Sequence, residues 1–290
     1  VKMRFLVVCL SVFLSLPALA EKYPPIGTSM TVQQISQHAY YVQGEAGMAT
    51  ENEGFISNAG FVVTNEGVVL FDALGTPSLA WTLLQKIREI TDKPITHMIV
   101  SHYHADHIYG LQVFKEEGAK IIAPAGAYTY LGSETAASLL EDRMMSLEPW
   151  VNEKTQLVVP DQIIDKAFRF TSGELSFELN YLGSAHSDGD LTLFIPEEGV
   201  LFSGDIIFEG RVPFVGDADT KVWLSKLKDL ETDGLKVLVP GHGPHAQDPN
   251  QAVRMTREYV AHLRSVMGKA VEDMVDFETA FEEEDWSAYK

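Results

Sequence analysis

From residue 39 onward the chain alternates between two hydrophobic periods. Ala39 to Gln43, Gly60 to Thr64 and Val68 to Asp72 are short apolar runs that read as strands. Asn65-Glu66-Gly67, between the last two, is a hairpin turn signal. Thr76-Pro77 opens a helix, with Thr as N-cap and Pro at the first position. Trp81, Leu84, Ile87 and Ile90 then recur at near-helical spacing and predict one buried face. Pro94 ends that helix, and Ile95 to Ser101 reads as a buried strand. A loop from His102 to His107 follows, then a helix to about Glu117 and a short strand from Lys120 to Ala123. Pro124 to Pro160 reads as mostly helical, an insertion (124–160) over one end of the fold. Strands and turns return from Gln162 to Phe208. Thr220 to Glu231 is a helix with Trp223, Leu227 and Leu230 on one face, and Leu235 to Val239 is a strand. A loop from Pro240 to Pro244 leads to a helical end from Pro249, with an acidic, solvated tail from Glu278 to Asp285. Each half begins in sheet and ends in helix, so the chain is α/β, with two sheets packed together and helices outside.

Composition narrows this picture. Hydrophobic residues make up 46% and charged residues 22% of 290, which excludes a largely disordered chain. The length allows one large domain or two small ones. The formal charge of −19, without a Lys/Arg cluster, argues against a nucleic-acid partner. Oligomeric state leaves no mark in the sequence.

The first twenty residues form a separate object. Lys2 and Arg4 are followed by an apolar run, Phe5 to Leu16, and by the small-residue site Ala18-Leu19-Ala20. That is the pattern of a secretory signal peptide over 1–20, with cleavage after Ala20 and a single domain over 21–290. The run is short for a membrane span, so no stable membrane anchor is expected after cleavage. The protein is therefore expected in the periplasm or secreted. Cleavage removes Cys9, the only cysteine, and with it any Cys nucleophile or Cys metal ligand.

The chemistry concentrates after the strands. Ser101-His102-Tyr103-His104-Ala105-Asp106-His107 packs His102, His104, Asp106 and His107 into six residues at a strand end. Imidazole and carboxylate at that density suit zinc, with Fe or Mn as possible alternatives. His186, Asp205 and His242 each follow an apolar run and are flanked by glycine or small residues. Seven such side chains exceed what one zinc takes and suit two metals with a bridging carboxylate. Among the other residues, Tyr103 and Tyr109 flank the metal loop as candidate substrate contacts, although packing explains them as well. Arg211 could pair with a substrate carboxylate or make an ordinary salt bridge. Asn58 and the stretch Gly44 to Gly54 could line a flap or a plain loop. Met144 and Met145 read as helix packing, and His38, His97, His245 and His262 as structural or surface histidines. Asp188 and Asp190 read as turn residues that support His186.

His102-x-His104-x-Asp106-His107, then His186, Asp205 and His242 in order, resembles the metallo-β-lactamase superfamily. The resemblance spans nearly the whole chain after the leader, and Asp72 in Val69-Leu70-Phe71-Asp72 looks like the family's first motif. It implies an αββα sandwich with two metals at one sheet edge. It also implies His102, His104 and His186 on metal one, Asp106, His107 and His242 on metal two, and Asp205 between them. The set is similar to glyoxalase II, whereas β-lactamases of the superfamily usually have Cys or Ser where this chain has Asp205. The stretch from Phe202 to Asp219 resembles exported quinoprotein relay system zinc metallohydrolases and SoxH-like proteins.

The implied activity is hydrolysis of a small ester, thioester or lactone carbonyl, with Asp106 and Asp205 orienting the nucleophile. β-Lactam hydrolysis is the first alternative, and a non-catalytic metal-binding accessory of a periplasmic redox system the second. A nuclease of this fold fits poorly with the export signal and the acidity. A glutathione-thioester hydrolase matches the metal set but not the expected compartment.

Overall fold

The computed structural model describes residues 22–289; the segment read as a signal peptide lies outside the described residues. Seven strands form one sheet in chain order: β1 (Val32–Gln34), β2 (Ala39–Val42), β3 (Ala59–Val63), β4 (Val68–Phe71), β5 (Ile95–Ile99), β6 (Lys120–Pro124) and β7 (Gln162–Ile164). The pairs from β1 to β4 are antiparallel and those from β4 to β7 parallel. Five strands form the second sheet: β8 (Phe168–Ser172), β9 (Leu175–Gly183), β10 (Asp190–Ile195), β11 (Val200–Gly204) and β12 (Val237–Pro240). Here β11 and β12 run parallel and the other pairs antiparallel.

Side chains alternate across each strand, and the two faces of the first sheet fill different cores. Val69 and Phe71 of β4 point into the layer between the sheets, against Phe177, Leu193 and Phe202; Val68 and Leu70 point outward. The outward face lies under α1 (Pro77–Ile90) and under α2 (Ala105–Ile108) and α3 (Leu111–Glu116). The outer face of the second sheet lies under α6 (Thr220–Leu227) and α7 (Pro249–Glu272), which is followed by α8 (Phe277–Glu283). The result is the expected helix–sheet–sheet–helix sandwich, with all four residues of β4 buried because both faces are covered.

Several local expectations shift. The buried face of α1 is Leu79, Ala80, Leu83, Leu84 and Ile87; Trp81 is half-buried and Ile90 is exposed. Steps of three residues fall short of a turn by about 60° each, so the series from Trp81 to Ile90 winds around the helix. The region after β6 is helical only in its first half, as α4 (Gly126–Leu131) and α5 (Glu134–Ser146). Met144 packs against the outer core, but Met145 faces solvent, since adjacent positions on a helix point about 100° apart. Trp223, Leu227 and Leu230 are all buried as expected, with Leu230 in a 3₁₀ turn after α6. Among the described residues, no helix is long and apolar enough to cross a membrane.

Candidate metal centre

Ligands to α/β sheets gather beyond the carboxyl ends of the strands, where connecting chains are free to take functional shapes. Asp72 follows β4, His102 follows β5, and Asp106 and His107 lie on α2. His186 lies in the β9–β10 connection, Asp205 follows β11, and His242 follows β12. Backbone hydrogen bonds lace these ends together. Leu191 N–H donates to the Ser101 carbonyl at 2.7 Å, Gly241 N–H to Gly204 at 2.8 Å and Asn58 N–H to Gly241 at 2.7 Å. Glycine is required twice. A Cβ at Gly241 would stand 1.9 Å from Asp205 Oδ1. Gly204 has φ +51°, and its Cβ would meet the Ser101 side chain at 2.6 Å.

The structure brings all seven side chains together. His104 Nδ1 stands 3.0 Å from His102 Nε2 and 3.1 Å from His186 Nε2. Nitrogens around a tetrahedral zinc ion lie about 3.3 Å apart, so this triad matches such a centre. A second group joins Asp106, His107 and His242, with Asp106 Oδ2 3.5 Å from His107 Nε2 and 3.3 Å from His242 Nε2. Asp205 reaches both groups. Its Oδ1 is 3.5 Å from His107 Nε2, and its Oδ2 is 3.5 Å from His186 Nε2 and 3.2 Å from His242 Nε2.

What surrounds the imidazoles decides which nitrogen faces the centre. His186 Nδ1 donates to the Phe214 carbonyl at 3.1 Å, and His242 Nδ1 donates to the Ile56 carbonyl at 2.7 Å. His107 Nδ1 donates to Asp72 Oδ2 at 2.8 Å. The same carboxylate accepts from Ser101 N–H at 2.7 Å and from Ser101 Oγ at 2.8 Å, and that hydroxyl in turn accepts from His102 Nδ1 at 2.8 Å. Each of these four rings therefore turns Nε2 inward, the orientation that an outer hydrogen bond gives a metal-binding histidine. His104 is the exception. It presents Nδ1, and its Nε2 lies 3.4 Å from the exposed carboxylate of Asp217.

Electrostatics divides the cluster. Burial, reinforced by the charges of His107 and His104, holds His102 well below the usual histidine range, and burial also lowers His186. Burial would lower His107 too, but Asp106, Asp205 and Asp72 carry it up to about 9. His242 is likewise raised against burial, by Asp205 and Asp106. In turn, His107 and His242 keep Asp106 and Asp205 below the carboxylate range against the opposing effect of desolvation.

These residues fit a metal centre. His107 Nε2 and Asp205 Oδ1 are buried and make no hydrogen bond, an arrangement that costs free energy unless something else satisfies them. The side chains of His102, His107, His186, Asp205 and His242 are almost inaccessible, whereas those of His104 and Asp106 are 24% and 22% exposed. The centre thus opens between His104 and Asp106.

Other candidates lie elsewhere. Asn58 is buried, and its amide is fully engaged: Nδ2 donates to Pro240 and Gly243, both at 2.8 Å, and Oδ1 accepts from Gly44 N–H at 3.0 Å. It braces the His242 loop and has no donor left for a substrate. Tyr103 points into the outer core beside Tyr130, with its hydroxyl toward the Val158 carbonyl, because the residue between two inward histidines on an extended chain faces the opposite way. Arg211 lies in a groove against α7 whose lining contains none of the seven clustered side chains. Asp190 is buried and holds the His186 loop through Ala185 N–H, Ser187 N–H and Ser187 Oγ, as expected. His38, His97, His245 and His262 all sit away from the centre. Asp217 and the carbonyls of Ile56 and Phe214 are additional parts. Backbone acceptors have no signature in sequence, and Asp217 is one of three acids, with Glu209 and Asp219, between Asp205 and α6.

The model of the metallo-beta-lactamase superfamily matches residues 52–242. The chain belongs to that superfamily. Its relatives include a metallo-beta-lactamase type 2 of Bacteroides fragilis, 20% identical over 93% of this chain and 98% of the relative. A linear primary-alkylsulfatase of a Pseudomonas strain is 23% identical over 68% of this chain but only 44% of its own length. The solved metallo-beta-lactamase from Pontibacter korlensis superposes with a TM-score of 0.62 at 21% identity, over 80% of this chain and 99% of that one, a likeness of fold. Members of the superfamily are metal-dependent hydrolases, and this chain is a hydrolase of that fold with a candidate metal site.

Proposed function

We propose that this chain is an exported dinuclear zinc hydrolase that cleaves a small ester, thioester or lactone carbonyl. The observation that carries the reading is the meeting of two triads on Asp205, with His107 Nε2 and Asp205 Oδ1 buried and otherwise without partners. His102, His104 and His186 would hold one ion, Asp106, His107 and His242 the other, and Asp205 would bridge them. Zinc bound there would supply Lewis acidity, activating water near neutral pH and polarising the carbonyl under attack. The chain's own groups do the rest. Asp106 Oδ2 is turned toward His107 and His242, which leaves Oδ1 to orient the attacking water and accept its proton. The half-exposed His104 and Asp106 leave an opening where the scissile bond can enter, and the buried histidines behind them exclude bulk water. The export signal over residues 1–20 supports action in the periplasm or beyond.

β-Lactam hydrolysis is the second reading. The nearly full-length similarity to a metallo-beta-lactamase type 2 favours it, and Asp205 weighs against it. The test is turnover by zinc-loaded mature protein of a chromogenic cephalosporin and, separately, of an acyl thioester, with His104→Ala as control. Thioester cleavage that needs His104, without cephalosporin turnover, is expected. Rapid, His104-dependent cephalosporin turnover would invert the order of the two readings. Inactivity on both, with full metal content, would point to the accessory role instead.

A further inference from the structure

A groove of about 520 Å³ runs between the loop after Phe208 and α7, and the metal centre does not use it. That volume lies within the range of small-ligand pockets. Its apolar walls include Phe208, Val212, Pro213, Met255, Tyr259 and Tyr289. Val212 and Met255 are exposed, so apolar surface is held open to water there. Arg211 also lines the groove, but so do Glu209 and Asp248, and the lining carries no excess of positive charge to hold an anion.

The loop that forms one wall also reaches the metal centre. The Phe208 ring stands 6.2 Å from that of His186. The Phe214 carbonyl accepts from His186 Nδ1 at 3.1 Å, and its ring is set edge-on to His104 with centroids 6.3 Å apart. Gly216 folds the loop back onto the Phe214 ring: a Cβ there would stand 2.6 Å from Phe214 Cζ. The ring is nonetheless 55% exposed. Val212 and Phe214 are exposed on either side of the buried Pro213, the alternation of an extended chain, and their Cα atoms are at most about 7 Å apart. Phe214 beside His104 and Val212 on the groove are therefore successive apolar steps along one rim.

We infer that this groove holds the apolar acyl chain of a neutral substrate whose carbonyl lies at the metal centre, the chain passing over Phe214 and Val212 to rest against Met255 and Tyr259. The inference rests on the hydrolase reading and narrows it to esters, thioesters or lactones with a long acyl chain. It gives the loop between Asp205 and α6 a second task besides orienting His186, the selection of substrate by length.

The experiment has two arms, each run on zinc-loaded wild type, Met255→Arg, Val212→Asp and Met255→Leu. The buried residues of α7 include Ala252, Val253, Thr256 and Val260 but not Met255, so the charged variants should fold, which circular dichroism and zinc content check. The first arm compares kcat/KM for 4-nitrophenyl octanoate and 4-nitrophenyl acetate, which differ only in the length of the acyl chain. The octanoate is expected to be preferred at least about tenfold in the wild type and in Met255→Leu. Met255→Arg and Val212→Asp should each cut that preference at least about fivefold, by placing charge where the chain would lie. Ester cleavage with the wild-type preference retained in both charged variants, or with no preference in the wild type, overturns the groove and leaves the hydrolase reading standing. The second arm follows binding of 1-octanol, a neutral chain, by calorimetry. Met255→Arg is expected to weaken it at least about tenfold and Met255→Leu to keep it. Octanol binding that is the same in all four proteins, as adsorption to the exposed Phe277 and Phe281 of α8 would give, also overturns the groove. Octanol binding that depends on Met255, without cleavage of either ester, would count against the hydrolase reading and leave the groove as a site for an apolar chain.

Discussion

The two halves of the candidate metal centre are built on opposite electrostatic plans. The half made by His102, His104 and His186 is all imidazole, and burial keeps His102 and His186 free of protons. The half made by Asp106, His107 and His242 is mixed, and the carboxylates around it load His107 and His242 with protons. One half is ready for a cation at neutral pH. The other holds protons where the cation would sit. Asp205 stands within 3.5 Å of histidines of both halves, so in the proposed two-metal centre it would couple the filling of one half to the other. The difference teaches that an acid-rich site can bind metal tightly and yet need an alkaline shift to fill, because each carboxylate that attracts the metal also attracts the proton that competes with it.

The sharpest way to break this comparison is to remove the shared residue. Asp205→Asn keeps the shape but halves the negative donor set. Hydrolysis is expected to fall by more than about 100-fold, beyond what loss of a supporting partner costs. Steady-state turnover of the responsive ester or thioester, alongside circular dichroism, checks this. Retained activity would mean that Asp205 does not join the two halves.

Next in size is the pH dependence of zinc affinity, measured by chelator competition between about pH 6 and pH 8. His107 holds its proton up to about 9 in the metal-free protein, so zinc must displace that proton throughout this range. Affinity of the mixed half should therefore rise about tenfold per pH unit for that proton alone, and more steeply with His242. His102 and His186, held neutral by burial, should add no such pH dependence to the imidazole half.

Asp72 and Ser101 separate the halves more finely. Asp72 accepts directly from His107 and, through Ser101 Oγ, orients His102. Asp72→Asn is expected to weaken zinc binding in both halves by about 10–100-fold. Ser101→Ala should weaken only the imidazole half, because it leaves the Asp72–His107 bond in place. Two-site fits to the same chelator titrations resolve the two effects.

The smallest effect belongs to Asp217. Its carboxylate is 71% exposed where it meets His104, and exposed ion pairs contribute at most about 1 kcal/mol. Asp217→Ala should change zinc affinity by less than about fivefold. A larger loss would show that the imidazole half depends on this loop as strongly as the mixed half depends on Asp72.

Much of this centre is legible in the sequence, for a physical reason. A residue placed just after a buried strand has little freedom of position, so His102, Asp205 and His242 can be located from the apolar runs that precede them. The glycines beside Asp205 and His242 signal the close approach that Gly241 makes to Asp205 Oδ1. The family resemblance supplies the sandwich and the order of the motifs, which periodicity alone does not. Orientation is far less legible. Tyr103 sits between two inward histidines and points away, and Asn58 spends its amide on three backbone groups. The carbonyls of Ile56 and Phe214 orient two histidines, yet any residue type could provide them. The buried face of α1 also departs from its apparent series, because Leu79 and Leu83 compete with Trp81 and pack better against the sheet.

The most direct test of the account is a count of metal per chain. Wild-type and Asp205→Asn proteins are loaded with zinc at about pH 8, desalted, and analysed by mass spectrometry of the metal against protein concentration. About two zinc ions per wild-type chain and about one per Asp205→Asn chain are expected from a centre in which the carboxylate joins the two halves. One ion in the wild type, or two retained without Asp205, would contradict it.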